Sequence, residues 1–162
     1  MKKYKSHTLK EYLDVLASRN PTPGGGSAAA LTASTGVALI AMVARYSLGK
    51  GASKAVEKRI EKILEKSEAF RKRLLECVDL DAQAYLKVVA ARKGTAREKK
   101  AASRQAQKVP LEVSKLCCKA VDLTPFLVEK GNKYLVSDVE VAVELLLAAY
   151  KSAMINVKIN QG

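Results

Sequence analysis

The chain of 162 residues has no tryptophan, two phenylalanines, one histidine and three cysteines. Each scarcity closes a route. A zinc centre needs several His or Cys ligands, and a His-dependent triad would fall wholly on His7, which reads as a surface residue near the N-terminus. No metal is therefore expected. Cys77, Cys117 and Cys118 are odd in number and two are adjacent, which fits neither a disulfide framework nor a metal knuckle. They read as packing residues. No apolar run reaches the ~20 residues of a membrane span. Residues 28–44 come nearest with 17, and these include Thr32, Ser34, Thr35 and Gly36. No apolar segment of signal-peptide type follows the N-terminal lysines, so the expected location is cytoplasmic, with no membrane partner.

Acidic residues are also short, 16 against 29 basic ones, for a net charge of +13. The excess favours polyanionic partners. It is concentrated over residues 87–108, where Lys87, Arg92, Lys93, Arg97, Lys99, Lys100, Arg104 and Lys108 are opposed only by Glu98. No aromatic for base stacking interrupts this run, so nucleic acid is not the expected partner. A small molecule with a charged anionic tail and a plainly solvated face both remain open.

Alanine, leucine, lysine and glutamate dominate what is present, and alternating β-branched runs are few. The expected fold is all-α: a single domain over 1–162, a bundle of five or six helices, with one long helix over about 53–93. A short first helix follows Thr8 and carries Leu9, Tyr12, Leu13 and Leu16 on one stripe. A Pro/Gly loop over 19–26 leads to a second helix over 27–47, apolar nearly all round and hence central. On the long helix, Val56, Ile60, Ile63, Ser67, Phe70, Leu74, Cys77, Asp81, Ala84 and Val88 alternate steps of four and three, a sustained 3.5-residue seam. That seam aims the Asp81 carboxylate at the core side, whereas Asp79 points elsewhere. Thr95 and Glu98 form a capping box for a fourth helix, which Pro110 ends, kinks or restarts. Gly131 and Asn132 form a stop signal, and Ser137 with Glu140 a second capping box opening the last helix. Two adjacent stripes of that helix are apolar: Val139, Ala142, Leu146, Ala149, Ala153 with Asn156 and Asn160, and Val141, Leu145, Ala148, Ser152, Ile155, Ile159. Both are expected inside.

Four groups carry chemistry. In PTPGGGS, residues 21–27, glycines precede a helix and let backbone approach a ligand, whose negative charge the helix N-terminus favours. No Gly-Lys-Ser/Thr follows and no strand precedes, so neither a P-loop nor a dinucleotide fingerprint is present. A structural turn and a ligand loop both remain open. Asp81 on an apolar seam must be paired, neutralised or functional. Asp138 sits in a first helical turn, where it complements the dipole or serves a site. Asn156 is an amide on an apolar face.

Taken in order, PTPGGGSAAAL, the DLDAQAY segment at 79–85, VPLEV at 109–113, GN followed by SDV, and NVKIN at 156–160 resemble the cyclodeaminase/cyclohydrolase family of folate-processing domains. The resemblance covers residues 9–160. It implies an all-α homodimer acting on a tetrahydrofolate derivative, whose tail can be polyglutamylated, with no cofactor beyond that substrate. A cyclodeaminase closes 5-formiminotetrahydrofolate to the 5,10-methenyl form and releases ammonia; a cyclohydrolase opens the methenyl form with water. Carried onto this sequence, the resemblance implies carboxylate roles for Asp81 and Asp138. It implies substrate contacts from Pro23, Gly24, Gly25, Gly26, Ser27, Asn132, Ser137 and Asn156, and a tail-binding role for the basic run. The alternatives are a folate-binding relative without catalysis and, further off, a basic nucleic-acid-binding bundle. The stretch between Lys93 and Pro110 is shorter than the family usually shows, and Glu140 follows SDV where a small residue is common.

Overall fold

A computed structural model of the chain describes residues 3–160. Among them are six α-helices and no strand, in keeping with the all-α pattern: α1 (Leu9–Ala17), α2 (Gly25–Ser47), α3 (Lys54–Ala91), α4 (Ala96–Val121), α5 (Thr124–Lys130) and α6 (Val136–Ile159). Short 3-10 turns cover Tyr4–Ser6 and Lys133–Leu135. The capping boxes of Thr8 with Glu11 and of Thr95 with Glu98 open α1 and α4, and Ser53 caps α3 by accepting the Val56 N–H. Gly49 and Gly51, at φ 68° and 79°, turn the chain between α2 and α3, a conformation that L side chains resist.

Three boundaries differ from expectation. α2 begins at Gly25 with Gly24 as its cap, two residues before the expected start at Ser27. α4 runs unbroken through Pro110 and stops at Val121; Pro125 then sits in the first turn of α5, where a missing N–H costs nothing. α6 starts at Val136, not after a Ser137 cap, because the preceding 3-10 turn feeds directly into it and Ser137 is already helical. Asn132 caps that turn instead, accepting the Tyr134 N–H at 3.0 Å.

The four long helices make the bundle. α2 packs on α3 and α6, and α4 packs on the same two. The α3 seam is inside as its spacing predicts, with Ile60, Ile63, Ser67, Leu74, Cys77 and Ala84 buried. α2 is central: Ala30, Ala33, Val37, Ile40, Ala41 and Ala44 are fully buried. It is long and apolar enough to cross a membrane by length and composition alone, yet 61% of its apolar window is buried against other helices. At Gly36 an added Cβ would meet the Ala142 carbonyl and Leu146 at 3.0 Å, so this glycine sets how closely α2 approaches α6. The pair is antiparallel, with Gly25 beside Asn156 at one end and Ser47 beside Asn132 at the other.

One stripe read as core is largely exposed, and the α1 stripe is buried only in part. On α6 the first stripe is buried, but Val141, Ile155 and Ile159 of the second are 51%, 59% and 72% exposed. α2 and α4 flank α6 on one side, and among the described residues no helix covers the other. On α1 only Tyr12 is buried; Leu9 and Leu13 face outward, because this short helix touches the bundle along a single line. Asp79 lies off the seam but is buried beneath the N-terminal turn, where the Tyr4 N–H donates to its Oδ1 at 2.6 Å. His7, read as a surface residue, packs edge-on against the Tyr4 ring with centroids 5.5 Å apart.

Candidate active site

The N-terminal end of α2 is held from two directions. The Tyr4 hydroxyl donates to the Thr22 carbonyl at 3.0 Å and lies 2.9 Å from its hydroxyl, while the Tyr4 N–H binds Asp79 on α3. The N-terminal turn thus ties the PTPGGGS loop, whose Thr22–Pro23 peptide is cis, to the same stretch of α3 that carries Asp81. Gly24 caps α2 without a side chain, so the first-turn N–H groups need another partner. Asp81 supplies one: its carboxylate accepts the Ser27 N–H and lies flat against Gly26. A Cβ at Gly26 would run into that carboxylate. The third glycine is therefore required by close approach, and an anion at a helix N-terminus is favoured by the dipole.

Burial raises the Asp81 pKa, and the Ser27 N–H only partly offsets it. Behind Asp81, the buried Tyr12 hydroxyl lies 3.1 Å from the Ser27 hydroxyl, itself fully buried. Burial also raises Tyr12, against the lowering hydrogen bond to Ser27, and the Asp81 charge adds to the rise. Asn156 closes the other side. Its side-chain N–H donates to the Ser152 carbonyl at 2.9 Å, which among the described residues leaves Oδ1 without a partner in the amide group that flanks Gly25. Together Gly24, Gly25, Gly26, Asp81, Tyr85 and Asn156 line a cavity of about 300 Å³. Its walls offer acceptors, the Asp81 carboxylate and the Asn156 side-chain carbonyl, and among the described residues no lysine or arginine lines it.

The remaining predicted residues lie elsewhere. Ser27 is behind the wall, and Pro23 is buried within the loop. Asn132 is fully used in structure: its N–H donates to Ser47 Oγ at 2.8 Å, its amide N–H donates to the Tyr46 carbonyl, and its Oδ1 caps the 3-10 turn. Ser137 and Asp138 are in the first turn of α6. Asp138 precedes Asn156 by 18 residues of continuous helix, roughly 27 Å of rise. One chain therefore does not bring Asp138 to Asp81. Nor does any of the eight basic residues of 87–108 line the cavity; Lys87 and Lys108 line a separate cleft of about 270 Å³ with Arg73 and Glu112. Among the described residues no three of His, Cys, Asp and Glu gather in metal-binding fashion. Burial pushes the thiols of Cys77 and Cys117 up to about 12, in keeping with packing rather than reactivity.

Sequence reasoning missed Tyr12 as part of this site. The available signal was a tyrosine on an otherwise leucine stripe, since a buried phenol needs a partner for its hydroxyl.

Comparison with known proteins places the chain in a family. Residues 8–162 match the family described as Formiminotransferase-cyclodeaminase. The chain is 38% identical to a methenyltetrahydrofolate cyclohydrolase of Methylorubrum extorquens, over 96% of this chain and 79% of that protein. It is 32% identical to the formimidoyltransferase-cyclodeaminase of Sus scrofa, over 94% of this chain but only 30% of that longer protein. In fold it is similar to the crystal structure of a formiminotetrahydrofolate cyclodeaminase from Thermotoga maritima, with a TM-score of 0.93 and 34% identity, covering 96% of this chain and 79% of that one. With nearly its whole length matched in both sequence and fold, the chain belongs to the formiminotransferase-cyclodeaminase family.

Proposed function

We propose that this chain is a folate one-carbon enzyme, a formiminotetrahydrofolate cyclodeaminase or a methenyltetrahydrofolate cyclohydrolase. The observation that carries the reading is the half-buried Asp81 carboxylate, seated on the glycine-lined N-terminus of α2 and facing a cavity of about 300 Å³. A pterin ring presents an N–H and an amino group side by side, and a carboxylate accepts both. The Asn156 carbonyl offers a further acceptor. A cavity without cations suits this uncharged heterocycle. The anionic tail then lies outside, toward the basic α3–α4 hairpin, where a polyglutamate extension has room.

In the cyclodeaminase reaction N10 bonds to the formimino carbon and gives up its proton, the leaving nitrogen takes up two protons, that one and one from an acid, and its bond to carbon breaks as ammonia departs. The methenyl cation remains. In the hydrolase reaction water adds to that carbon, a net proton is released, and the ring opens to the formyl form. Either course needs proton transfer and an anion near the cation, which carboxylates supply. Asp81 and Asp138 divide these roles, one holding the pterin edge and one moving protons.

Because Asp138 lies at the far end of α6, the second carboxylate comes from a second copy. The exposed stripe of Val141, Ile155 and Ile159 runs along the antiparallel α2–α6 pair. A two-fold axis crossing this face near its middle exchanges the two ends, carrying Asp138 of the partner subunit to the cavity end. The homodimer is thus part of the proposal. Mixing the protein with 5-formimino- and 5,10-methenyltetrahydrofolate, and following the near-ultraviolet methenyl absorbance, tests it. Turnover of either supports the enzyme reading. Binding without turnover selects a non-catalytic relative, and neither binding nor turnover defeats both.

A further inference from the structure

A second, larger concavity lies at the other end of the bundle, an open groove of about 1030 Å³ between the first half of α3 and the α4–α5 corner. Lys58, Lys62 and Lys66 line it at every fourth position of α3, ~6 Å apart along the helix. Arg59 joins them from α3, and Lys119 from α4. Asp122 is the one acid on its walls. Among the described residues none of these five cations has an ion-pair partner, whereas Arg45, Arg71 and Arg73 of the same bundle each face a glutamate. The groove's inner surface is apolar, from Ile63, Leu123, Phe70 and Phe126. Over it the Arg59 guanidinium stacks on the Phe126 ring, 4.2 Å from its centroid.

We propose that this groove is a binding site for a nucleoside polyphosphate, a flat ring carrying several phosphate charges. The lysine row supplies compact ammonium charges for successive phosphates. The guanidinium plane, already stacked on Phe126, offers its outer face to a planar ring. A bare inorganic anion would leave the apolar surface unused. A long nucleic acid is disfavoured because Glu57, Glu61 and Glu65 precede the three lysines one by one, which places a negative row on the adjoining face of α3. The positive strip is therefore only one groove wide. Its volume matches the upper range of small-molecule sites. Lys62 and Asp81 are 19 residues apart on α3, roughly 28 Å along the helix, so this site is separate from the folate cavity. It also lies on the α3–α4 side of the bundle, across from the α2–α6 face assigned to the dimer.

Calorimetric titration of the full chain with ATP at low salt tests the site without relying on folate turnover. ATP is expected to bind with an affinity that falls steeply as salt rises, inorganic triphosphate at least tenfold more weakly, and adenosine not measurably. Lys62→Glu combined with Lys66→Glu should weaken ATP at least tenfold with the thermal midpoint unchanged. Lys87→Glu with Lys108→Glu, in the other basic cleft, should leave it intact. The proposal is overturned by no ATP binding at low salt, by indifference to the Lys62/Lys66 pair, or by loss of binding in the Lys87/Lys108 control. It is equally overturned if triphosphate matches ATP, or if oligothymidylate or pentaglutamate binds more tightly than ATP.

Discussion

The three glycines of PTPGGGS should respond to alanine in three different ways, and the difference is written in their surroundings. At Gly26 the new methyl would overlap the Asp81 carboxylate. Asp81 must rotate away, giving up the Ser27 N–H. Relief of the buried charge offsets that loss, and what remains is the overpacking itself, which costs about 1–3 kcal/mol. Alanine returns at most about 0.5–1 kcal/mol of helix propensity. The expected net loss is about 1–2 kcal/mol, a thermal midpoint lower by about 2–8 °C for a domain of this size. Turnover should fall far more, by about 100-fold or beyond, if the displaced carboxylate has the acid–base or binding role proposed for it. At Gly25 the nearest neighbour of a Cβ is the Asn156 amide at 3.9 Å, an ordinary contact. Gly25→Ala should be neutral or slightly stabilising, with its effect confined to substrate affinity because the methyl enters the cavity. At Gly24 nothing lies within 4 Å and the backbone is extended, so alanine should change little. Thermal melts and steady-state kinetics on the three variants check this order. Wild-type stability and turnover in Gly26→Ala would refute the placement of Asp81 against the α2 N-terminus.

Burial raises the Asp81 pKa, so its ionised form is less favourable folded than unfolded. Stability from this group is present below the unfolded carboxylate pKa and is lost as pH rises through the folded value. Asp81→Asn should therefore raise the thermal midpoint at neutral pH, lose that gain in acid, and cut turnover; an equal change at both pH values would contradict the sign. Tyr12→Phe keeps the buried ring but strands the Ser27 hydroxyl. It should cost about 1–3 kcal/mol in a denaturant titration and lower turnover beyond what the melt explains. Val141→Glu combined with Ile155→Glu should yield a folded monomer by light scattering, with turnover lost. An active monomer would defeat the two-fold arrangement.

How much of this was legible in the sequence follows from what periodicity reports. The heptad-like seam of α3 placed Asp81 inward because a carboxylate interrupted a series of apolar residues at fixed steps. Capping chemistry located the start of α4 for the same local reason. What spacing does not report is the partner across space. Nothing local to Ser27 announces that its N–H meets Asp81, or that Tyr12 reaches its hydroxyl from α1. Nor does a helical face reveal height along its axis: Asp138 and Asn156 sit on one inward-reading helix but at opposite ends. The second stripe of α6 is apolar by the same rule as the first, and periodicity does not distinguish burial by the chain itself from burial by another copy. The start of α6 was misplaced because the Ser137 and Glu140 pattern is satisfied in sequence while an upstream 3-10 turn already set the helix running.

The most direct test of the central claim is a crystal structure with a bound tetrahydrofolate derivative. The pterin edge or its one-carbon group should lie within hydrogen-bonding distance of the Asp81 carboxylate, beside Gly24, Gly25 and Gly26, with Asp138 of the partner subunit at the mouth. Ligand density away from the α2 N-terminus, or a pterin that makes no contact with Asp81, would contradict it.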